Sequence, residues 1–425
     1  MIVDYEYAAL DFSDESEAAR ARRTAWLQAV QLGFHQGRPP EEQVKVWLNH
    51  VKVDDVECRG VWLPEGAFGA SPVPVATTAW FDKTLNTGRE LLPLRMITDV
   101  TTNPAHRRRG LVRSLMEDCL TDAAEQGVPL AALTVSEATI YGRWGFGVAT
   151  FGEQIEVDTG PRFGLRPGIE PAGRVEMIDP RESWPLIRGL LDRHHRDHPG
   201  SVGTPAFYED IFTGSYHWME RSPDDKLRAA VHLSEEDAEV DGMVLFRIDR
   251  EDGKRFARLV CLLGFGPDAY LGLWQFLGGI DLVEKVTWHA ADPADPVRWA
   301  LADLNSLKTT ELAEFLWVRV LDVPVALAAR PWSADGDVVL AVADAQGHAS
   351  GRYRVLAKDG AADVTRTDDP AEVAMDAETL GSLYLGGVPA AGLRDAGRIT
   401  GDPAAVDRFV AMAELPTTPY NLLGF

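Results

Sequence analysis

The chain has 425 residues, 45% of them hydrophobic and 25% charged, a composition that supports more than one folded core and excludes a disordered polymer. Its formal net charge of -23 argues against a nucleic-acid partner, which needs a basic face; it suits small cations, though an acidic surface also serves solubility alone. Cys58, Cys119 and Cys261 lie far apart with no zinc-ligand spacing, so a reducing, cytoplasmic setting without a metal site is expected, and no run of about 18 apolar residues is present to span a membrane.

In chain order, residues 1 to about 20 are polar and acidic and read as a loose arm, with Asp4, Glu6 and Asp11 where a signal peptide would need basic and then apolar residues. Ala18 to Phe34 places Trp26, Leu27, Val30 and Phe34 on one helical face, and a second helix starts near Pro40 with Val44, Trp47 and Leu48. These aromatics fit core packing as readily as the lining of a substrate cleft. Residues 51 to 63 predict strand, turn and strand, Pro74 to Phe81 a further strand, and Leu94 to Thr102 the next.

After that strand comes the turn Asn103-Pro104, and then Arg107, Arg108, Arg109, Gly110, Leu111, Val112 and Arg113 open a helix predicted over Leu111 to Gln126. A helix start exposes unpaired N–H groups and a positive dipole end, glycine admits close approach, and arginines donate to phosphate in pairs. The turn is therefore built for a phosphate-bearing ligand. It lacks both the Walker lysine followed by Ser or Thr and the three-glycine dinucleotide pattern. A short buried strand follows over Pro129 to Val135, then Ser136, and then Tyr141 leading into Gly142-Arg143-Trp144-Gly145-Phe146-Gly147.

The Arg-x-x-Gly-x-Val spacing resembles the acetyl-coenzyme A motif of the GNAT superfamily of N-acetyltransferases, Val112 standing where glycine or alanine is usual. His106 to Leu111 together with Ser136 to Gly147 resemble, more specifically, the Eis (enhanced intracellular survival) family of acetyltransferases. Leu316 to Pro324, Gly381 to Gly387 and the final Phe425 are similar to segments of the same family. The resemblance implies an α+β chain of three domains: a GNAT acetyltransferase domain over 1–155, a second GNAT-like domain over 156–305, and a sterol-carrier-protein-like α/β domain over 306–425. It also implies acetyl-coenzyme A as cosubstrate, a cationic amine such as an aminoglycoside as acceptor, transfer at several positions, and a homohexamer.

The local sequence fits such a division. A Gly/Pro-rich connector runs over 158–174; helices are predicted at Trp184 to His194 and Tyr270 to Leu277, and strands at Val240 to Ile248 and Ala257 to Gly264. No second Arg-Gly turn of the HRRRG type occurs there, so cofactor binding is expected of the first domain only. Trp317 to Pro324 is read as the start of the last domain, with strands at Asp337 to Asp344 and Gly351 to Lys358.

For the chemistry, the resemblance implies Tyr141 as the general acid for the departing thiolate, a role open to a hydroxyl of reference pKa about 10. It implies the terminal carboxylate of Phe425 as the group that takes the amine proton; Leu415 to Phe425 carries no charged side chain and is largely apolar, which allows docking. Backbone groups of Val100 and Thr102 would pair with the pantetheine, the Arg108 to Arg113 turn would hold the pyrophosphate, and Ser136 would touch the pantetheine arm. Trp26, Phe34, His35 and Gln36 are the candidate substrate contacts. Gly424 and the Phe34 to Gln36 segment lack carboxylates that relatives carry, so the acceptor range need not match theirs. The rival readings are transfer to protein lysines or other primary amines, and a non-catalytic acyl-coenzyme A binding protein.

Overall fold

The computed structural model describes residues 4–135, 140–251 and 253–425. Ahead of the first helix, Glu6–Ala9 (β1) pairs antiparallel with Glu57–Trp62 (β2), Glu6 opposite Trp62 and Ala9 opposite Arg59. Part of the segment read as a loose arm is thus an edge strand, held on its inner side by the ladder with β2.

Glu17–Gly33 (α1) starts where Ser16 accepts a hydrogen bond from the Ala19 N–H at 3.2 Å. Glu41–Val53 (α2) follows Pro40, with Glu41 and Glu42 at its positive end and Lys52 at its negative end. The helix runs on to Val53, so residues 51–63 supply a helix end and one strand rather than two strands. Trp47 and Val51, four apart, are both buried, and Trp47 stacks on Trp26 at 5.5 Å; that helical packing overrides the β preference of valine.

The next elements are Ala76–Asn86 (β3), Leu91–Thr102 (β4), Leu111–Glu125 (α3), Leu130–Thr134 (β5) and Gly147–Val148 (β6). The first sheet runs β1-β2-β3-β4-β5, then a strand at Leu316–Val320, then β6. One of its faces buries Met116 and Leu120 of α3 against Trp80, Ile97, Phe146 and Trp317.

Phe151–Asp158 (β7) opens a second unit that continues through Arg174–Ile178 (β8), Trp184–Asp197 (α4), Tyr208–Thr213 (α5), Leu227–Leu233 (β9) and Val240–Glu251 (β10). It closes with Lys254–Gly264 (β11), Pro267–Gly278 (α6), Val283–Ala291 (β12), Val297–Ala300 (α7) and Leu307–Glu314 (β13). Its sheet order is β13-β7-β12-β11-β10-β9-β8. Residues Thr418–Gly424 belong to this unit: the Tyr420 N–H donates to the Pro199 carbonyl at 2.9 Å and the Tyr208 hydroxyl donates to the Gly424 carbonyl at 3.0 Å.

Leu316–Val320 (β14) returns to the first sheet, pairing with β5 from Leu316 opposite Thr134 to Val320 opposite Leu130. The segment read as the opening of the last domain is therefore a strand of the first one, since its five buried residues complete the sheet between β5 and β6. Val323–Ala329 (α8), Gly336–Ala343 (β15), Gly351–Lys358 (β16), Ala361–Arg366 (β17), Val373–Asp376 (β18), Ala377–Leu383 (α9), Ala390–Asp395 (α10), Thr400–Gly401 (β19) and Pro403–Ala413 (α11) complete the chain. Their sheet runs β17-β16-β15-β18-β19 and shares a unit with the first sheet. No described helix is long and apolar enough to cross a membrane.

Candidate active site

β4 and β5 run parallel and pair only from Leu94 opposite Leu130 to Met96 opposite Ala132. Beyond that point, among the described residues, Ile97–Thr102 keeps β3 on one edge and has no ladder on the other. Alternate strand residues present their main-chain groups to the same edge, so Val100 and Thr102 can form strand-like hydrogen bonds with the amides of a pantetheine arm. The opening is sharpened by a β-bulge: the β3–β4 register slips between Thr77 and Ala79, and Asp99 takes a left-handed φ of 53°.

The phosphate end of the site is the turn into α3. Arg108 (φ 62°) and Gly110 (φ 81°) are left-handed, and nothing lies within 4 Å of where a Gly110 Cβ would sit. No side chain caps the helix, so its first N–H groups have no side-chain acceptor, and Arg107, Arg108, Arg109 and Arg113 are exposed around it. That donor set fits a pyrophosphate. Leu111 packs its side chain with Val61, Val75, Ala76 and Leu115, while Val112 packs against the larger α3 cluster. Val112, the departure from the usual small residue, is thereby explained by packing; both residues offer the ligand only main-chain groups.

Tyr5, which sequence reasoning passed over, braces this turn. Its hydroxyl is 2.8 Å from His106 Nδ1 and accepts a hydrogen bond from Arg109 at 2.8 Å. Lost hydration, and then the Arg109 charge, push His106 below its ordinary pKa, which favours the neutral ring. A tyrosine just ahead of an edge strand and 101 residues away from its partner leaves no local signal.

Tyr141 stands at the start of a 3-10 turn over Gly142–Trp144 and is 6% exposed. Its ring lies 6.1 Å from that of Trp144 and edge-on to Phe146 at 6.4 Å, in the same cluster against which Val100 and Val112 pack. The turn is also held from behind by α9: a Cβ on Gly147 would come within 2.1 Å of the Glu378 carbonyl oxygen. Ser136 lies outside the described residues.

Phe425 reaches the other face of the same split. Thr134 Oγ1 donates to a terminal oxygen of Phe425 at 2.6 Å and accepts from the Phe425 N–H at 3.2 Å. Its ring meets Phe81 edge-on at 6.4 Å, and Phe81 follows Trp80, whose side chain faces α3; alternation puts Phe81 and Phe425 on the α1 side. Thr134 was missed in the sequence because it reads only as the polar end of an apolar strand.

The candidate acceptor contacts divide. Trp26 is fully buried, stacked on Trp47, with its Nε1 donating to the Arg59 carbonyl at 2.9 Å; it is core and has no surface to offer an acceptor. Phe34 is 45% exposed, His35 is exposed with φ 59°, and Gln36 is half-buried with its N–H bonded to the Gln31 carbonyl at 2.8 Å. This helix end abuts the split, for a Cβ on Gly33 would lie 2.5 Å from Thr101.

The second unit repeats the strand–helix–strand order: β11 and β12 pair in parallel from Arg255 to Arg258 and then part. Its turn, Gly264-Phe265-Gly266-Pro267, carries no arginine, and a cavity of about 360 Å³ at that opening is lined by His194, His198, Trp288 and Tyr420 among others.

A split parallel pair with an arginine-ringed helix start beside it is the arrangement expected of a GNAT acetyltransferase. Residues 16–149 and 214–320 each match an acetyltransferase (GNAT) domain family, and residues 323–421 match a sterol carrier protein domain family. An uncharacterized N-acetyltransferase of Streptomyces avermitilis is 34% identical over 92% of this chain and 93% of its own length. N-acetyltransferase Eis of Mycobacterium tuberculosis is 32% identical over 84% of this chain and 86% of its own. The crystal structure of Eis1 from Mycobacterium abscessus shares the fold, with a TM-score of 0.80 over 99% of this chain and 100% of that one at 22% identity. The chain belongs to the Eis family of GNAT N-acetyltransferases. It is an acetyltransferase that takes acetyl-coenzyme A as cosubstrate.

Proposed function

We propose that the acceptors are small cationic amines, aminoglycosides among them, and that acetyl is transferred to more than one amino group. The observation that carries this reading is the terminal carboxylate of Phe425, held by Thr134 at the split on the face opposite the Tyr141 cluster. A neutral amine entering from the α1 side attacks the thioester carbonyl, forming the C–N bond as the C–S bond breaks. Its proton passes to the Phe425 carboxylate, and the Tyr141 hydroxyl protonates the thiolate. Val100 and Thr102 align the pantetheine arm, Ser136 touches it, and Arg107 to Arg113 hold the pyrophosphate. The net charge of -23 adds a long-range attraction for cationic acceptors.

The test is thiol release from acetyl-coenzyme A across aminoglycosides, polyamines, lysine peptides and simple amines, with mass counting of the acetyl groups added. Multiple additions to aminoglycosides support the reading; turnover confined to lysine peptides, or binding without turnover for every amine, overturns it. Tyr141→Phe should lower kcat about 100-fold with little change in the KM for acetyl-coenzyme A, the scale of a lost general acid. One residue added after Phe425 should abolish turnover while acetyl-coenzyme A still binds.

A further inference from the structure

Asp99 sits at the bulge where β4 leaves β5. Its carbonyl oxygen accepts from the Thr77 hydroxyl at 2.7 Å, which fixes the bulge, and bulges re-aim side chains. The direction follows from its neighbours. Val100 packs on the α3 side, Thr101 abuts Gly33 of α1, and the Asp99 charge is felt by Cys58, which lies in the row Cys58, Ala79, Thr98 across β2, β3 and β4. Asp99 therefore belongs to the α1 face. Phe425 is on the same face and at nearly the same level, since Thr134 stands two residues beyond Ala132 just as Thr98 stands two beyond Met96.

Among the described residues no hydrogen bond or ion pair reaches the Asp99 carboxylate. Other carboxylates around this sheet have their cations: Asp54 has Lys83 at 2.6 Å, and Asp82 and Asp122 share Arg95 at 2.5 and 2.7 Å. Lost hydration, with nothing to offset it, pushes the Asp99 carboxyl up to about 6. A half-buried anion that lacks a counterion is a poor choice for stability and a good one for binding an ammonium group.

We propose that Asp99 is the acceptor-site anion, binding a protonated amino group of the acceptor other than the one that is acetylated beside Phe425. The inference rests on the reading of the acceptor as a cationic amine. It makes the enzyme selective for di- and polyamines over monoamines, through a residue on the cofactor strand itself.

The test is calorimetric titration of 1,5-diaminopentane and 1-aminopentane into the full-length protein saturated with coenzyme A, comparing wild type with Asp99→Asn. The diamine should bind at least ten-fold more weakly to the variant, with monoamine affinity unchanged. Equal diamine affinity in both proteins overturns the proposal. An equal loss for both amines also overturns it, because Asp99 would then hold the reacting nitrogen. Should Asp99→Asn fold poorly, Asp99→Gly removes the carboxylate at a φ that glycine favours and must give the same result. A wild type that binds neither amine overturns the cationic-amine reading along with this one; a wild type that binds both while the variants match it overturns this one alone.

Discussion

Arg319 and Asp344 show how much a single pair of charges can matter inside this molecule. Their side chains are 0% and 2% exposed and meet at 2.5 Å. Desolvation outweighs the partner's attraction at Arg319 and holds the guanidinium below its usual range; at Asp344 desolvation is outweighed by the Arg319 charge and the Ala349 and Gln346 N–H groups, so the carboxyl stays low. Removing one partner strands the other. Asp344→Asn should therefore lower the unfolding free energy by about 3–5 kcal/mol in denaturant titrations, while a paired replacement of both residues by apolar ones should cost far less. Arg108 presents the opposite balance. Its left-handed φ of 62° costs on the order of 1–2 kcal/mol, so Arg108→Gly should leave stability within about 1 kcal/mol of wild type while raising the KM for acetyl-coenzyme A several-fold.

At the level of elements, the tyrosine turn depends on a helix more than 230 residues downstream in the chain. α9 packs against β14 and β6, and Gly147 is where its backbone comes closest: a Cβ there would lie 2.1 Å from the Glu378 oxygen and 2.3 Å from the Ser382 nitrogen. Both are main-chain atoms, so neither can swing aside. Gly147→Ala should lower stability by about 1–3 kcal/mol, the scale of an overpacked core, and should reduce kcat more than acetyl-coenzyme A affinity because the cofactor turn is left in place. Thermal unfolding and steady-state kinetics on the same preparation would separate the two effects. The sterol-carrier-like domain thus supports the turn that carries Tyr141 as well as carrying the chain towards its end.

Across the whole molecule, acid sensitivity should arise in the second unit. Burial pushes His194 down to about 3 and His195 down to about 4, with the neighbouring His198 adding to the effect at His194. A buried neutral histidine contributes stability that is complete above the unfolded pKa of about 6.5 and is lost as pH falls towards the folded value, because the unfolded chain binds the proton first. Asp295, raised to about 6 by burial, works in the opposite direction, its penalty growing as pH rises from about 4 to 6. Stability of this unit should fall between pH 6.5 and 4, and His194→Gln should reduce the slope by up to about 1.4 kcal/mol per pH unit. Urea titrations across that range, read by fluorescence, would check the sign; a steeper slope in the variant contradicts it.

Local patterns in the chain were enough to place the strand read over Leu94 to Thr102, the arginine turn and the helix read over Leu111 to Gln126, which the structure has at Leu91–Thr102 and Leu111–Glu125. Their signals are short-range: alternation, an Asn-Pro turn, arginines before a glycine, and a helical apolar repeat ending at Gly127. The same locality explains what was misread. β1 looks like a polar arm until its partner β2 is present, Trp26 looks equally suited to a cleft or a core until Trp47 stacks on it, and β14 looks like a domain opening until β5 and β6 flank it. Thr134 meeting Phe425, Tyr5 meeting His106, and Asp99 without a cation are all consequences of long-range placement. By itself the sequence determined the class of cofactor, because phosphate binding needs only one turn and one helix start. Only the tertiary structure decided which groups line the split, because that depends on which face of a split sheet each side chain takes, and on where Phe425 comes to rest.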